Sequence, residues 1–390
     1  MNILVVDDAR DMRLIAQHLL RKLGYHADTA QDGQEAWEKL QKKDYQIVIS
    51  DWVMPNIDGL SLCQKIRAAN FPHYIYIVLL TGMSGKQNLI SGIDAGADDF
   101  ATKPVELEEL NVRLRSAKRV LELESSLAQK NKSLQDAHAL IEKDLQHASQ
   151  TQLSVLPEPL KHEKCTTAWL FKPAIFVGGD TFNYYFVSAD LLVFFTIDIS
   201  GHGVSSAMIS MSLQFAIFQT TSLYGGDINE ERLQEVPRVF AENLNKMMLN
   251  DKSEHYLTMI FGIADLKNKK IHYVQAGHPY PFIYRKAEQH LEMLSVNGFP
   301  IGLFDLAQYE TQTISFNSGD KFIVYSDGIS ENKSALNQTL LESDNLQRHF
   351  QEICHLSTDD MMSHIKQYWL THEQINHLPD DISVLAFEFH

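Results

Sequence analysis

Two sets of aspartates stand where apolar runs give way to turns. In the first, Asp7 and Asp8 follow Ile3–Val6, Asp51 follows Ile47–Ser50, Thr81 follows Ile75–Leu80, and Lys103-Pro104 follows Phe100–Thr102. Three carboxylates meeting at one edge repel unless a cation lies among them, and oxygen-only ligands point to magnesium. A lysine and a hydroxyl beside them can hold the oxygens of a phosphoryl group carried on one aspartate. A lone aspartate at a strand end is more often a helix cap. Acids, a hydroxyl and a lysine at successive run ends are hard to obtain from caps.

The second set lies in the C-terminal half. Asp180 closes Gly178-Gly179-Asp180, and Asp198 opens Asp198-Ile-Ser-Gly201-His202-Gly203 after a very apolar run. Asp327 lies in Ser326-Asp327-Gly328, and Asp380-Asp381 precedes the last apolar run. A glycine or turn beside each lets the backbone come close, so a carbonyl can join a coordination shell. Several carboxylates without histidine or cysteine ligands suit manganese or magnesium, and a pair of such ions needs about this many. Asp-Gly and Gly-Asp pairs are often only turns. Turns alone do not require acidic edges on otherwise buried strands.

The elements that must position these residues follow from periodicity. Up to Pro104, apolar runs alternate with the helical patterns Arg10–Leu23, Gly33–Gln41, Leu60–Ala69 and Lys86–Ala95. This alternation predicts an α/β unit, a parallel sheet covered on both faces with ligands at the carboxyl ends of its strands. After Pro157, strands are predicted at Ala168–Pro173, Leu191–Asp198, Thr258–Asp265, Ile271–Ala276, Phe282–Tyr284, Lys321–Tyr325 and Ile382–Phe389. Helical patterns interrupt them at Val204–Leu223, Glu231–Asn250 and Asp359–Leu370, which suggests an α+β unit of packed sheets with helices outside.

Between the halves, Val105–Leu156 contains neither glycine nor proline and is rich in good helix formers. Val120, Leu127, Leu134, Ile141, Ala148 and Val155 recur every seven residues, one seam of a coiled coil. The companion seam (Ser116, Leu123, Lys130, Ala137, Asp144, Thr151) is poorer. This is the pattern of a marginal, switchable pairing and equally of a spacer; an unbroken helix here would be roughly 75 Å long.

The formal charge of −16 argues against nucleic-acid binding, which needs a concentrated basic surface. No run approaches the ~20 apolar residues of a membrane span, and Met1 leads directly into an apolar run, so neither a membrane segment nor a signal peptide is expected. Cys63, Cys165 and Cys354 are odd in number and far apart, consistent with a reducing cytoplasm.

The first set of motifs resembles a response-regulator receiver domain from Met1 to about Arg119. The matching residues are Asp7-Asp8, Asp51 within Ser-Asp-Trp-Val-Met-Pro-Asn-Ile-Asp-Gly, Thr81 after Val-Leu-Leu, and Lys103-Pro104. The resemblance implies five parallel strands and phosphorylation of Asp51 by a sensor histidine kinase. It assigns magnesium to Asp7, Asp8 and Asp51, phosphoryl contact to Lys103, and switch positions to Thr81 and Phe100. A cis bond before Pro104 is usual in that family.

From Gln150 to His390 the ordered motifs resemble the SpoIIE-type metal-dependent serine/threonine protein phosphatases. Besides the aspartates they include Gln152–Pro157, Ala276-Gly277-His278-Pro279, Gly298-Phe-Pro-Ile-Gly302 and Gly319-Asp320. The resemblance implies a sandwich of two antiparallel sheets flanked by helices, with two Mn2+ or Mg2+ ions at one end. Asp198 would bridge both; Asp180 and the Ile199 carbonyl would serve one; Asp327 and Asp380 would serve the other, with Asp381 the alternative to Asp380. Catalysis would centre on Asp198 and Asp327, with in-line attack by water and no phosphoenzyme. One departure is visible: the family usually has a second acid where this chain has Asn183. His202 and His278 lie inside glycine-bounded turns, a setting that favours structural roles.

The expected organisation is therefore a receiver over residues 1–119, a helical linker over 120–156 that pairs two copies, and a phosphatase domain over 157–390. The leading reading is a regulator whose output removes phosphate from phosphoserine or phosphothreonine on a partner, by resemblance an anti-sigma-factor antagonist. The rival is a non-catalytic phosphatase-like adaptor. Such adaptors lose their metal aspartates, and this chain keeps them. A DNA-binding output is a weak third, since no helix-turn-helix with a basic face follows the receiver.

Overall fold

The structure, a computed structural model, describes residues 1–82, 86–201, 203–221, 229–250, 255–331, 343–370 and 378–390. The chain divides into two compact units, Met1–Leu140 and Ile141–His390.

The N-terminal unit alternates as its sequence requires: β1 (Ile3–Val6), α1 (Arg10–Lys22), β2 (Ala27–Ala30), α2 (Gly33–Leu40), β3 (Ile47–Asp51), α3 (Gly59–Ala68), β4 (Tyr76–Thr81), α4 (Lys86–Asp94) and β5 (Asp99–Thr102). The strands are all parallel, in the order β2-β1-β3-β4-β5. Residues of β1, β3 and β4 are buried on both faces, so apolar clusters lie on each side of the sheet. β2 is the element the apolar pattern did not reveal. Its Ala-Asp-Thr-Ala sequence forms an edge strand and is only half-buried until Ala30. Asp32 and Asp58 are caps, accepting from the Glu35 and Ser61 N–H groups at 2.8 and 2.7 Å, which satisfies otherwise orphaned first-turn donors.

Helix α5 runs from Leu107 to Ser154 without a break. Its first turns bury Leu110, Leu114 and Ala117 against the parallel sheet. From Glu122 to Asp144 every residue is exposed, including the seam residues Leu127 at 54%, Leu134 at 70% and Ile141 at 60%.

The C-terminal unit contains β6 (Lys161–His162), β7 (Cys165–Lys172), β8 (Thr181–Phe186), β9 (Leu191–Ile199), α6 (Val204–Thr221), α7 (Glu230–Asn250), β10 (Leu257–Asp265) and β11 (Lys270–Ala276). It continues with β12 (Phe282–Arg285), β13 (His290–Met293), β14 (Gln312–Ser315), β15 (Lys321–Tyr325), α8 (Gly328–Glu331), α9 (Ser343–Ile353), α10 (Thr358–Trp369) and β16 (Ile382–Phe389). Two antiparallel sheets form, ordered β14-β11-β10-β9-β8 and β13-β12-β15-β16-β7-β6. Phe194, Ile260 and Tyr273 of the first meet Phe322, Leu385 and Phe387 of the second in the inner core. The outer face of the first sheet packs on α6 and α7, and that of the second on α9 and α10. This four-layer arrangement explains why β9 and β16 read as nearly continuous apolar runs: each is covered on both sides. No helix among the described residues is long and apolar enough to cross a membrane.

Candidate functional site

In the N-terminal unit, the parallel strands deliver Asp7, Asp8 and Asp51 to one edge, where potential ligand oxygens of all three lie within 4.8 Å of one another. Lys103, brought in at the end of β5 before a cis Pro104, places its Nζ 2.7 Å from both Asp7 Oδ2 and Asp51 Oδ2. Burial works against the Lys103 ammonium, but the Asp51 and Asp7 carboxylates outweigh it and hold its pKa above the ordinary lysine range. Asp7 Oδ1 accepts from the Ala9 N–H at 2.9 Å and Asp51 Oδ1 from the Trp52 N–H at 2.7 Å. Asp7 is buried, whereas Asp8 is exposed. Thr81 ends the strand beside Asp51, half-buried. Phe100 is also half-buried, its ring centroid 6.4 Å from that of Trp52.

In the C-terminal unit the acids come together at the ends of strands from both sheets. Asp180 immediately precedes β8 and is 1% exposed. A Cβ on Gly179 would stand 2.7 Å from the Ile199 carbonyl oxygen, so glycine alone lets the Asp180 turn approach that carbonyl. Burial, then the neighbouring Asp198 and Asp381, push the Asp180 carboxyl well above the usual carboxylate range. Its Oδ2 is buried without a hydrogen-bond partner.

Asp380 and Asp381, left open as alternatives by the sequence, differ in surroundings. Asp381 is 3% exposed, and its carboxylate accepts from the Ala174 N–H at 2.7 Å, the Gly179 N–H at 2.6 Å and the Asp180 N–H at 3.4 Å. Those bonds make it the brace of the Gly178–Asp180 turn. Asp380 is half-buried and accepts from the Asp381 N–H at 2.8 Å. The Asp327 turn is tied to the same place, since Ser326 Oγ donates to the Asp381 carbonyl at 3.2 Å and accepts from the Ser383 N–H at 2.9 Å. Asp198, next to last in β9, lies opposite Thr258 and is half-buried.

A cleft of about 330 Å3 opens here, lined by Thr258, His278, Tyr280, Asn297, Gly298 and Asp327 among others. His278 Nδ1 lies 2.7 Å from Thr258 Oγ1, and burial pushes its pKa down to about 3, so the ring is neutral near pH 7. His202 lies outside the described residues. Asn183 lies in β8 opposite Phe195, and its side-chain oxygen accepts from the Tyr184 N–H at 2.8 Å.

Among the described residues only Asp7, Asp8 and Asp51 bring three carboxylates within 4.8 Å of one another. The C-terminal acids are set more widely, and there the buried bare oxygen of Asp180, the nearby Asp198 charge and the Ile199 carbonyl beside Gly179 are oxygen donors of the kind a hard divalent cation takes. The receiver's acid triad fits one too. The motif Gln152–Pro157 held one signal whose role could not be read from sequence: Gln152 bonds the Gly178 backbone inside the Asp180 turn.

Comparison with known proteins agrees with this architecture. The family "Stage II sporulation protein E (SpoIIE)" matches residues 188–390, and "Response regulator receiver domain" matches residues 3–115. The chain belongs to the SpoIIE family and carries an N-terminal receiver domain. It is 27% identical to the phosphoserine phosphatase RsbP of Bacillus subtilis over 190 residues, 48% of this chain and 45% of RsbP. It is 40% identical to the chemotaxis protein CheY1 of Helicobacter pylori over 116 residues, 29% of this chain and 94% of CheY1. Response regulator RppA of Synechocystis is 37% identical over 121 residues, 30% of this chain and 51% of RppA. The matches thus span about half the length of RppA and of RsbP. Among solved structures, the SiaA-PP2C domain of Pseudomonas aeruginosa shares the fold, with a TM-score of 0.54 at 19% identity, covering 65% of this chain and 99% of that one. The SpoIIE-type phosphatase domain is therefore joined, through α5, to a receiver domain.

Proposed function

We propose that this protein is a response regulator whose output is metal-dependent dephosphorylation of phosphoserine or phosphothreonine on a partner protein. The observation that carries it is the convergence of Asp180, the Ile199 carbonyl, Asp381 and the Asp327 turn at one end of the sandwich. Asp180, Asp198, Ile199, Asp327 and Asp380 would hold two Mn2+ or Mg2+ ions, with Asp381 bracing the Asp180 turn. Divalent cations held there supply Lewis acidity and a nucleophilic water at neutral pH. The chain itself positions the acids on rigid strand ends and admits the phosphorylated side chain through the cleft beside Asp327 and His278. His278 stays neutral and orients Thr258 rather than adding charge. By the resemblance of its motifs to the SpoIIE-type phosphatases, the substrate would be a small anti-sigma-factor antagonist. The retained acids favour an enzyme over an adaptor that only binds.

In the receiver, a sensor histidine kinase would transfer phosphate to Asp51, with magnesium on Asp7, Asp8 and Asp51. Lys103 would follow the new phosphoryl oxygens, and Thr81 and Phe100 would shift with them. The exposed seam of α5 would pair with that of a second copy, since a helix exposed on all sides over many turns gains little by standing alone. This pairing supports a homodimer whose state the receiver sets, with domains at 1–119, 120–156 and 157–390, working in the cytoplasm.

The test is hydrolysis of p-nitrophenyl phosphate with manganese by the full chain. Asp198→Ala is expected to lower the rate by roughly 10^3-fold or more, the scale of several kcal/mol of lost charge stabilisation. Full metal-dependent activity in that variant would overturn the two-ion assignment.

A further inference from the structure

From Glu122 to the end of α5 at Ser154, Gln152 is the one buried residue, at 1% exposure. A helix that hides one side chain ordinarily hides an apolar one; here it hides an amide. Gln152 Nε2 donates to the Gly178 carbonyl at 2.7 Å, and its Oε1 accepts from the Gly178 N–H at 3.1 Å. One side chain thus satisfies both backbone groups of a residue in the turn that ends at Asp180.

The opposite side of that turn is held by Asp381 through the Gly179 and Asp180 N–H groups, and a Cβ on Gly178 would collide with the Asp381 carboxylate. Beyond Asp180, Gln214 of α6 donates to the Phe182 carbonyl at 3.1 Å and to the Val155 carbonyl at 3.2 Å. Asp180 is therefore flanked at residues 178 and 182 by amide clamps, and the first comes from the last turn of α5. A role as mere anchor is already filled close by: Trp169 Nε1 donates to the Pro157 carbonyl at 2.8 Å, and Leu156 is buried.

We propose that Gln152 is a positioning residue of the phosphatase metal site. Its two bonds fix the Gly178–Asp180 turn so that the Asp180 carboxylate meets the cation, which makes the end of α5 a structural part of that site. The inference rests on the reading of Asp180 as a metal ligand. It also implies that a fragment beginning at Pro157 lacks one support of its own metal site, and that any movement of the end of α5 is felt first at Asp180.

The experiment is Mn2+ binding, followed by the electron paramagnetic resonance signal of free Mn2+, on the full chain carrying Asp8→Asn and Asp51→Asn to silence the receiver site. In that background, Gln152→Leu keeps bulk but loses both bonds and is expected to weaken Mn2+ binding at least 10-fold, the usual scale for groups that orient a ligand. Trp169→Phe, which loosens the neighbouring anchor without touching the turn, is expected to change affinity less than twofold. Circular dichroism of the metal-free proteins confirms folding. Should Gln152→Leu fail to fold, Gln152→Asn places the same amide out of reach and is expected to show the same loss. A folded Gln152 variant that binds Mn2+ as tightly as its parent overturns the proposal. Failure of the underlying reading shows separately, in the parent binding no more Mn2+ than its Asp198→Ala derivative, and that result removes the proposal with it.

Discussion

The receiver and the phosphatase unit each gather carboxylates at strand ends, and in the receiver a lysine lies among them. Lys103 lies 2.7 Å from Asp7 and Asp51, so much of their repulsion is offset before any ion binds. In the C-terminal unit, Asp180 ends in a buried oxygen without a hydrogen-bond partner, and its carboxyl is pushed well above the usual range by burial and by Asp198. The difference suits two tasks. A site that must exist both with and without a phosphoryl group needs an internal counter-charge, whereas a site that uses bound ions can leave the charge to them.

Metal removal should separate the two units most widely. Chelation after saturation with Mn2+ at about 100 times Kd is expected to cost the C-terminal unit about 2.7 kcal/mol for each of its two ions, or roughly 5–10 °C per ion in its calorimetric transition. The receiver's transition is expected to move less. Equal shifts would erase the distinction.

The neutral, buried His278 sharpens the comparison through pH. Its folded pKa of about 3 lies below the ordinary 6.5, so the unfolded chain binds the extra proton and stability falls as pH drops below 6.5 towards 3. Between pH 6.5 and 5 this amounts to about 2 kcal/mol. Urea unfolding of the C-terminal unit at pH 7 and pH 5 is expected to show a loss larger by about that amount in the parent than in His278→Gln, which keeps His272 and His349, both also depressed by burial. A parent and variant with equal pH dependence would remove His278 as the cause.

The smallest effect is expected at Lys103. Lys103→Met leaves Asp7 and Asp51 facing each other without their cation, and should destabilise the metal-free receiver by about 1 kcal/mol, since the pair is partly solvated. Magnesium should restore most of that loss. A variant equally destabilised with and without magnesium would mean that the lysine acts by packing rather than by charge.

What was legible in the sequence follows the same physics. The strands β1, β3, β4, β9 and β16 were readable because both their faces are covered, which forces uninterrupted apolar runs. The strands β2, β8 and β14 were not. β2 and β14 are half-exposed edges, and β8 mixes Thr, Asn and Tyr with its two phenylalanines. Helix α9 also went unread, although Leu346, Phe350 and Ile353 recur at helical spacing on its buried face. The aspartates could be found from their glycines, but the division of labour between Asp380 and Asp381 depends on which backbone N–H groups face each carboxylate. That is a property of three turns brought together from distant parts of the chain. Gln152 was visible as part of a motif, while its partner, Gly178, lies 26 residues further on.

On the proposed reading, the charge state of Asp51 governs the metal site through α5. That control is tested most directly by the phosphatase rate of the full chain, with manganese, measured with and without beryllofluoride, alongside its sedimentation. The expected result is a change in rate or in oligomeric state that disappears in Asp51→Asn. If rate and oligomeric state are both unaffected, the receiver does not control the phosphatase domain.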